Sequence, residues 1–94
     1  MFEIELESAE RIVLRGGFDA AQEERARKLL DQLTGSCTLD LRELSYISSA
    51  GLGVLVALHL RLSKRGEAVT LVNVSAHVRE LLRLSGLDQV FLAE

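Results

Sequence analysis

Apolar and polar residues alternate at the start of the chain, which predicts β-structure. Three apolar residues alternate there with glutamates: Phe2, Ile4 and Leu6. A period of two is typical of a strand with one face on the core and the other in water. A second apolar run, residues 12–14, follows a short polar segment. The two runs therefore predict an opening hairpin, whose second strand we expect to end at Gly16 and Gly17.

Three later segments show the spacing of helices. Residues 20–33 carry a stripe of leucines and alanine at three- and four-residue spacing, which predicts an amphipathic surface helix. Residues 51–64 form the most apolar helical pattern of the chain. A third helix is predicted after Ser75, a residue type favoured as an N-cap, and we expect it to stop at Gly86 in a left-handed turn.

Short apolar runs between these helices predict further strands, at residues 37–41, 68–72 and 90–92. The predicted order is therefore β-β-α-β-α-β-α-β. Alternation of strands and helices favours a single, mostly parallel sheet with helices packed on it. The chain of 94 residues has length for one core, so we interpret residues 1–94 as one α/β domain.

Composition and charge exclude several classes of function. Apolar residues make up 48% of the chain and charged residues 27%, a balance typical of globular proteins. The net charge of -3 argues against a nucleic-acid binder, which needs a basic surface. The lone Cys37 forms no internal disulfide and is expected to be a small buried residue. The acidic N-terminus indicates no export signal, and the longest apolar stretch is too short to cross a bilayer. These features predict a cytoplasmic protein of bacterial type without membrane insertion.

The segment Ser48-Ser49-Ala50-Gly51-Leu52-Gly53 is the most unusual local feature. A glycine inside a helix costs about 1 kcal/mol relative to alanine, so Gly51 and Gly53 require a reason such as close approach of another backbone. The start of a helix also tolerates a phosphate on Ser48 or Ser49, which would add about -1.5 to -2 charges. From the residues alone, the alternative that one serine caps the helix and the glycines permit tight packing stays open.

Residues 41–55, Leu-Arg-Glu-Leu-Ser-Tyr-Ile-Ser-Ser-Ala-Gly-Leu-Gly-Val-Leu, closely resemble the signature of the STAS family of sulfate transporters and anti-sigma factor antagonists. Ser49 falls on the serine that is phosphorylated in those antagonists. Residues 14–19 resemble the family's turn after the second strand, which ends in an acid, here Asp19. Residues 78–87 resemble its third helix and the exit from it. The resemblance covers nearly the whole chain and implies the STAS fold.

The resemblance implies a partner-switching regulator of transcription, of the kind used in stress responses. The unphosphorylated antagonist binds an anti-sigma factor that is a serine/threonine kinase and releases the sigma factor. Phosphorylation at Ser49 ends binding, and a PP2C-type phosphatase reverses it. The protein is then a ligand and substrate rather than an enzyme, with no cofactor. The resemblance places these further residues on the partner-binding surface: Asp19, Ser48, Ala50, Gly51, Leu52 and Gly53.

The sequence departs from the family pattern at three points. Ser48 replaces the acid that often precedes the phosphorylated serine, and Gln22 replaces a hydroxyl residue of the first helix. The chain reaches Glu94 where many members continue into a fourth helix, so this final helix is expected to be missing. Asp19 also has a second interpretation as the N-cap of the helix that follows it.

Two other functions stay open. One is a short STAS subunit of an ABC-type lipid-transport complex, which would act as a constitutive assembly module. The other is a nucleotide binder at the helix start near Gly51, ranked last because the chain has no Walker loop and little basic charge there. His59 and His77 lack partners at metal-ligand spacing, so no metal site is predicted.

Overall fold

The computed structural model describes the backbone of residues 1–93 and the side chains of residues 1–91. The strands in this part of the chain are β1 (Phe2–Leu6), β2 (Arg11–Phe18), β3 (Cys37–Ile47), β4 (Val69–Val72) and β5 (Leu92–Ala93). The α-helices are α1 (Glu23–Leu30), α2 (Ser49–Ser63) and α3 (Ala76–Leu84). Short 3-10 helices precede α1, at Ala20–Gln22, and follow α3, at Leu87–Gln89.

The strands form one sheet in the order β1-β2-β3-β4-β5. β1 runs antiparallel to β2, as a hairpin requires, and each later strand runs parallel to its neighbour. The parallel pairs are joined through α1, α2 and α3 in turn. The predicted element order and the mostly parallel sheet are confirmed.

The register separates the sheet into an apolar face and a polar one. On one face, Ile12 of β2 is paired with Leu39 of β3, which is paired with Leu71 of β4. These three side chains are fully buried, in one cluster with residues from each helix. The helical members of that cluster include Leu30, Leu55, Leu62 and Leu82. The helices therefore cover this face, and no polar or charged residue is buried among the side chains described.

β2 does not end at Gly16 and Gly17 as the sequence predicted. It continues to Phe18. Both glycines lie within the strand, at the point where the first residue of the chain passes close to it. Gly17 N donates to the carbonyl of Met1 at 2.8 Å. Gly16 has a φ of +84°, and a Cβ there would lie 2.0 Å from the same oxygen. Of the two residues that look like a strand end, Gly16 is therefore a position where only glycine fits.

β3 is eleven residues long, whereas the sequence predicted only residues 37–41. Its register with β2 shifts twice, between the partners of Val13 and Arg15 and between those of Gly16 and Gly17. Each shift leaves an extra residue in β3, which is the definition of a β-bulge. Past Leu41 the buried residues of β3 recur at every third position, at Leu44 and Ile47. The period of two is lost there, although the strand continues.

The predicted boundaries of the other elements need smaller corrections. The helix expected over residues 20–33 begins with a 3-10 turn, and its regular part is Glu23–Leu30. α2 begins at Ser49, two residues before the predicted start. The last strand begins at Leu92 rather than at residue 90. Ser75 caps α3 as predicted, and Gly86 has the predicted left-handed φ, +73°.

Candidate functional site

Ser48 and Ser49 occupy different positions in the turn from β3 into α2. Ser48 is the N-cap of α2, with extended backbone angles, and its Oγ accepts a hydrogen bond from Gly51 N at 3.2 Å. Its side chain is half-buried. Ser49 is the first helical residue and is exposed. The capping hydroxyl is therefore that of Ser48, and the hydroxyl of Ser49 faces solvent.

The carbonyl of Phe18, the last residue of β2, holds this turn in place. Ser48 N donates to Phe18 O at 2.9 Å, which joins the end of β2 to the start of α2. A Cβ on Gly51 would lie 2.9 Å from the same oxygen and 2.8 Å from Cγ1 of Ile47. A Cβ essentially never comes that close to another heavy atom, so the first turn of α2 can approach the sheet this closely only because residue 51 is glycine.

Asp19 follows Phe18 and closes a capping box on the 3-10 helix before α1. Its Oδ1 accepts from Ala21 N at 2.9 Å, and its own N–H donates to Oε1 of Gln22 at 2.9 Å. The interpretation of Asp19 as an N-cap is confirmed, and its half-buried side chain lies one residue from the carbonyl that anchors Ser48. Gln22, which looked like a departure from the family pattern, completes this box. The signal was the spacing Asp-x-x-Gln, typical of helix starts.

The predicted partner-binding residues divide by exposure. Ser49 and Gly53 are exposed, and a Cβ on Gly53 would have nothing within 4 Å. Ala50 is half-buried, like Asp19 and Ser48. Gly51 and Leu52 are buried. The buried pair can influence a partner only through the packing of α2, whereas Ser49 and Gly53 present an open surface.

The electrostatics at the start of α2 favour an anion. The first turn contains no acidic residue, and residues 44–60 contain no charged residue at all. The N-terminus of a helix carries the equivalent of roughly half a positive charge, and its first N–H groups lack intrahelical acceptors. A phosphate on Ser49 would therefore meet backbone N–H groups and no acidic side chain from its own segment.

Two surface depressions of the described residues lie away from the start of α2. One surface depression lies along α1, and its lining includes Arg25 and Leu29. Another lies at the opposite end of β3, beside Cys37 and Thr38. Neither depression includes residues of the start of α2. Burial raises the pKa of the Cys37 thiol, which disfavours the reactive thiolate.

Potential metal ligands are scattered over the part of the chain that the structure describes. His59 lies on the half-buried side of α2, with its ring edge-on to Phe91 at 5.6 Å between centroids. Among residues 1–91, no group of three or more metal-ligating side chains comes together. None of the helices described is both long and apolar enough to cross a membrane.

Comparison with known sequences gives two matches. The family model described as "Mlab, STAS domain" matches residues 3–94. A STAS-domain containing protein of Pseudomonas aeruginosa is 28% identical over 83 residues, which is 85% of this chain and 82% of that protein.

Comparison with solved structures shows where the fold recurs. SpoIIAA of Bacillus in its phosphorylated form matches with a TM-score of 0.73 at 22% identity, over 100% of this chain and 91% of that one. SpoIIAA in its unphosphorylated form, described as an anti-sigma factor antagonist, matches with a TM-score of 0.78 at 24% identity, over 100% and 88%. A sulfate transporter family protein of Wolinella succinogenes matches with a TM-score of 0.73 at 23% identity, over 85% and 68%.

Proposed function

This chain belongs to the STAS domain family, and on that premise we propose that it is an anti-sigma factor antagonist. Its unphosphorylated form binds an anti-sigma factor serine kinase and so releases the sigma factor. The kinase phosphorylates Ser49, which ends binding, and a PP2C-type phosphatase restores it. The chain acts in this scheme as a single cytoplasmic binding domain and not as an enzyme.

One observation carries the proposal: the hydroxyl of Ser49 is exposed at the first position of α2 while that of Ser48 is engaged. A kinase needs a free hydroxyl, and the Ser48 Oγ accepts from Gly51 N inside the fold. Phosphorylation of Ser48 would disturb the cap of α2, whereas a phosphate on Ser49 projects to solvent. The geometry therefore supports Ser49 as the acceptor, at the position that the resemblance indicated.

A phosphate on Ser49 is expected to act through charge and not through unfolding. Negative charge is favourable at a helix N-terminus, and the first turn of α2 has no acid to repel it. In a protein interface, however, an added dianion must lose its hydration and meets any acidic groups of the partner. The antagonist thus stays folded and loses its partner.

Isothermal calorimetry with a purified anti-sigma factor kinase tests the proposal. The Ser49→Asp variant should bind at least about a hundredfold more weakly than wild type, since a charge is placed in the interface. Thr34→Asp is the matched control, because Thr34 is exposed in the loop after α1 and gains the same charge. Its affinity should equal that of wild type. Equal binding by all three proteins would overturn the proposal.

Phosphate mapping by mass spectrometry supplies a second readout. After incubation with kinase and ATP, wild type and Ser48→Ala should each gain one phosphate on Ser49, and Ser49→Ala should gain none. A phosphate on Ser48 in the wild-type protein would contradict the assignment made from the cap geometry.

The second candidate function is a constitutive assembly module, such as a short STAS subunit of an ABC-type lipid-transport complex. The match to a sulfate transporter family protein leaves this candidate open, because the same fold occurs there in a transport protein. This candidate predicts that the chain copurifies with an ABC-type ATPase and that Ser49→Asp leaves the recovery unchanged. Loss of that recovery in Ser49→Asp would count against a constitutive role.

A further inference from the structure

The two edge strands of the sheet differ in length. β1 lies at one edge and β5 at the other. β5 has two residues, whereas β1 has five and is paired on one side only, with β2. An edge strand presents a row of unpaired N–H and C=O groups, which is a template for pairing with another chain. β1 is therefore the edge at which the sheet of one molecule could be extended by another.

The hydrogen bonds of the hairpin show which backbone groups of β1 are unpaired. Gly17 N donates to Met1 O at 2.8 Å, and Glu7 N donates to Arg11 O at 3.0 Å. In an antiparallel pair, such bonded residues alternate with residues whose N–H and C=O groups point away from the partner strand. The bonded residues in this register are the odd-numbered ones. Three residues of β1, here called the outward residues, therefore point their N–H and C=O groups away from β2: Phe2, Ile4 and Leu6.

The backbone of a second copy would match this row of groups. Two β1 strands in an antiparallel arrangement centred on Ile4 place Phe2 of one copy opposite Leu6 of the other. Every outward N–H and C=O group then meets a complementary group. Leu6 is 43% exposed, and this pairing would cover part of its side chain. Backbone geometry and apolar contact therefore both favour a dimer at this edge.

The glutamates that alternate with the outward residues oppose that dimer. In the centred arrangement, Glu3 of one copy lies opposite Glu5 of the other. Side chains directly opposite one another have Cβ atoms about 5 Å apart, and like charges there are destabilising. A shift by two residues in either direction places Glu3 opposite its own copy or Glu5 opposite its own copy. Every antiparallel register that pairs at least two outward residues of each chain therefore brings glutamates together.

The arginines beside β1 do not neutralise these glutamates. Arg15 donates to Glu5 at 2.7 Å, but it also donates to Glu43 of β3 at 2.9 Å. Arg11 is likewise shared by two carboxylates, one directly after β1 and one on β3. Glu3 makes no ion pair among the side chains described. The polar side of this edge therefore keeps a net negative charge.

We propose that the glutamates of β1 prevent two copies of this chain from joining their sheets at the β1 edge. The backbone of β1 favours the pairing, and like charges oppose it in each of the antiparallel registers described above. Parallel pairing turns one sheet over relative to the other, because successive side chains of a strand point to opposite faces. It would place the glutamates of each copy beside the apolar side chains of the other, which is also unfavourable.

Sedimentation velocity over a series of protein concentrations tests the proposal with a reversal of charge. Glu3→Lys places an ammonium group opposite Glu5 of a second copy, which turns each repulsive pair into an attractive one. Its dissociation constant for self-association should be at least about tenfold lower than that of wild type. Glu24→Lys is the matched control, because Glu24 is exposed on α1 and undergoes the same change of charge. This control should associate no more than wild type does.

Two further substitutions, each added to Glu3→Lys, show whether the association uses β1. Leu6→Pro removes an N–H that points away from β2, and proline is tolerated at such a position of an edge strand. Glu5→Lys restores like charges across the pair. Each should return the association to the wild-type level, and circular dichroism checks that the fold is kept.

Each outcome decides the proposal. Self-association of Glu3→Lys that the second substitutions abolish supports it. Self-association of Glu3→Lys equal to that of wild type overturns it, and so does association that neither second substitution weakens. A wild-type dimer that Leu6→Pro alone dissociates would also overturn it, because the glutamates would then not prevent the pairing.

Discussion

The open face of the sheet and the exposed side of α2, which includes Ser49 and Gly53, both face solvent, but only the sheet face carries paired charges. On the sheet, the Arg15 guanidinium donates to Glu5 at 2.7 Å and to Glu43 at 2.9 Å, which bridges β1, β2 and β3. Arg11 pairs with Asp40 at 2.7 Å. On α2, the side chains from Ser49 to Leu60 carry no charge.

Asp40 is the most connected residue of the sheet's open face. Burial alone would favour its protonated form, but hydrogen bonds from Arg42 N, the Asn73 amide and Arg11 outweigh that effect and lower its pKa. Asn73 adopts a φ of +56°, which brings the residue after β4 to this carboxylate. Groups from β2, from β3 and from the residue after β4 thus satisfy one another's hydrogen bonds.

The difference shows which surface is available to a partner. A face whose charges are already paired gains little from new contacts, because each existing pair must first be broken. A face without charge has no such pairs to break and gains by leaving water. The partner is therefore expected on α2, and the sheet face should contribute to stability only.

The largest expected change in stability distinguishes the buried side of α2 from its exposed side. Gly51→Ala should lower the free energy of unfolding by about 1 to 3 kcal/mol, because the methyl group overlaps Phe18 and Ile47. Gly53→Ala, the same substitution one half-turn away, should raise it by up to about 1 kcal/mol. Urea unfolding followed by circular dichroism measures both. Equal effects at the two positions would show that the outer side is not open.

A smaller change in stability is expected on the charged, open face of the sheet. Because the folded pKa of Asp40 is lower than the unfolded value near 3.9, the carboxylate stabilises the fold at neutral pH. Its contribution, about 1 kcal/mol, is lost as the pH falls through the folded pKa. Asp40→Asn should therefore lower stability at pH 7 and flatten the decline toward pH 3.

The pH dependence of unfolding with guanidinium measures this difference. Asp88→Asn serves as the control, because Asp88 is exposed and accepts no hydrogen bond among the side chains described. The two variants should diverge at neutral pH and converge in acid. Identical profiles would show that the Asp40 network adds nothing to stability.

The last pair of substitutions tests the two serines, where the expected change in stability is no larger than at Asp40. Ser48→Ala should lower stability by about 1 kcal/mol through loss of the cap, whereas Ser49→Ala should leave stability within about 0.5 kcal/mol of wild type. Thermal unfolding of the two variants side by side provides the measurement. A larger loss in Ser49→Ala would reverse the assignment of cap and exposed hydroxyl.

The sequence predicted the elements whose signals are local. The alternation at Phe2, Ile4 and Leu6 and the signals at Ser75 and Gly86 depend on neighbouring residues only. The structure confirms the strand and both helix ends, although Leu6 is exposed. The second half of β3 was missed because its two bulges break the period of two. The glycines of β2 were misread because the residue that crosses them, Met1, is distant in sequence.

The candidate site was predicted in part. The motif located the start of α2, but it did not distinguish the capping serine from the exposed one, because that depends on backbone angles at Ser48. It also grouped Gly51 with Gly53, although one packs against Phe18 and the other faces solvent. The exposed side of α2 can be recognised only from burial along the whole helix, which no short motif contains.

The most direct test of the account compares one protein in two states. Wild-type chain is phosphorylated to completion at Ser49, and its affinity for the purified kinase is measured by calorimetry before phosphorylation, after it, and after phosphatase treatment. The account predicts tight binding before phosphorylation, an affinity at least about a hundredfold lower after it, and full recovery of the affinity after phosphatase treatment. The circular dichroism spectrum should be the same in all three samples. The same affinity in all three samples would contradict it.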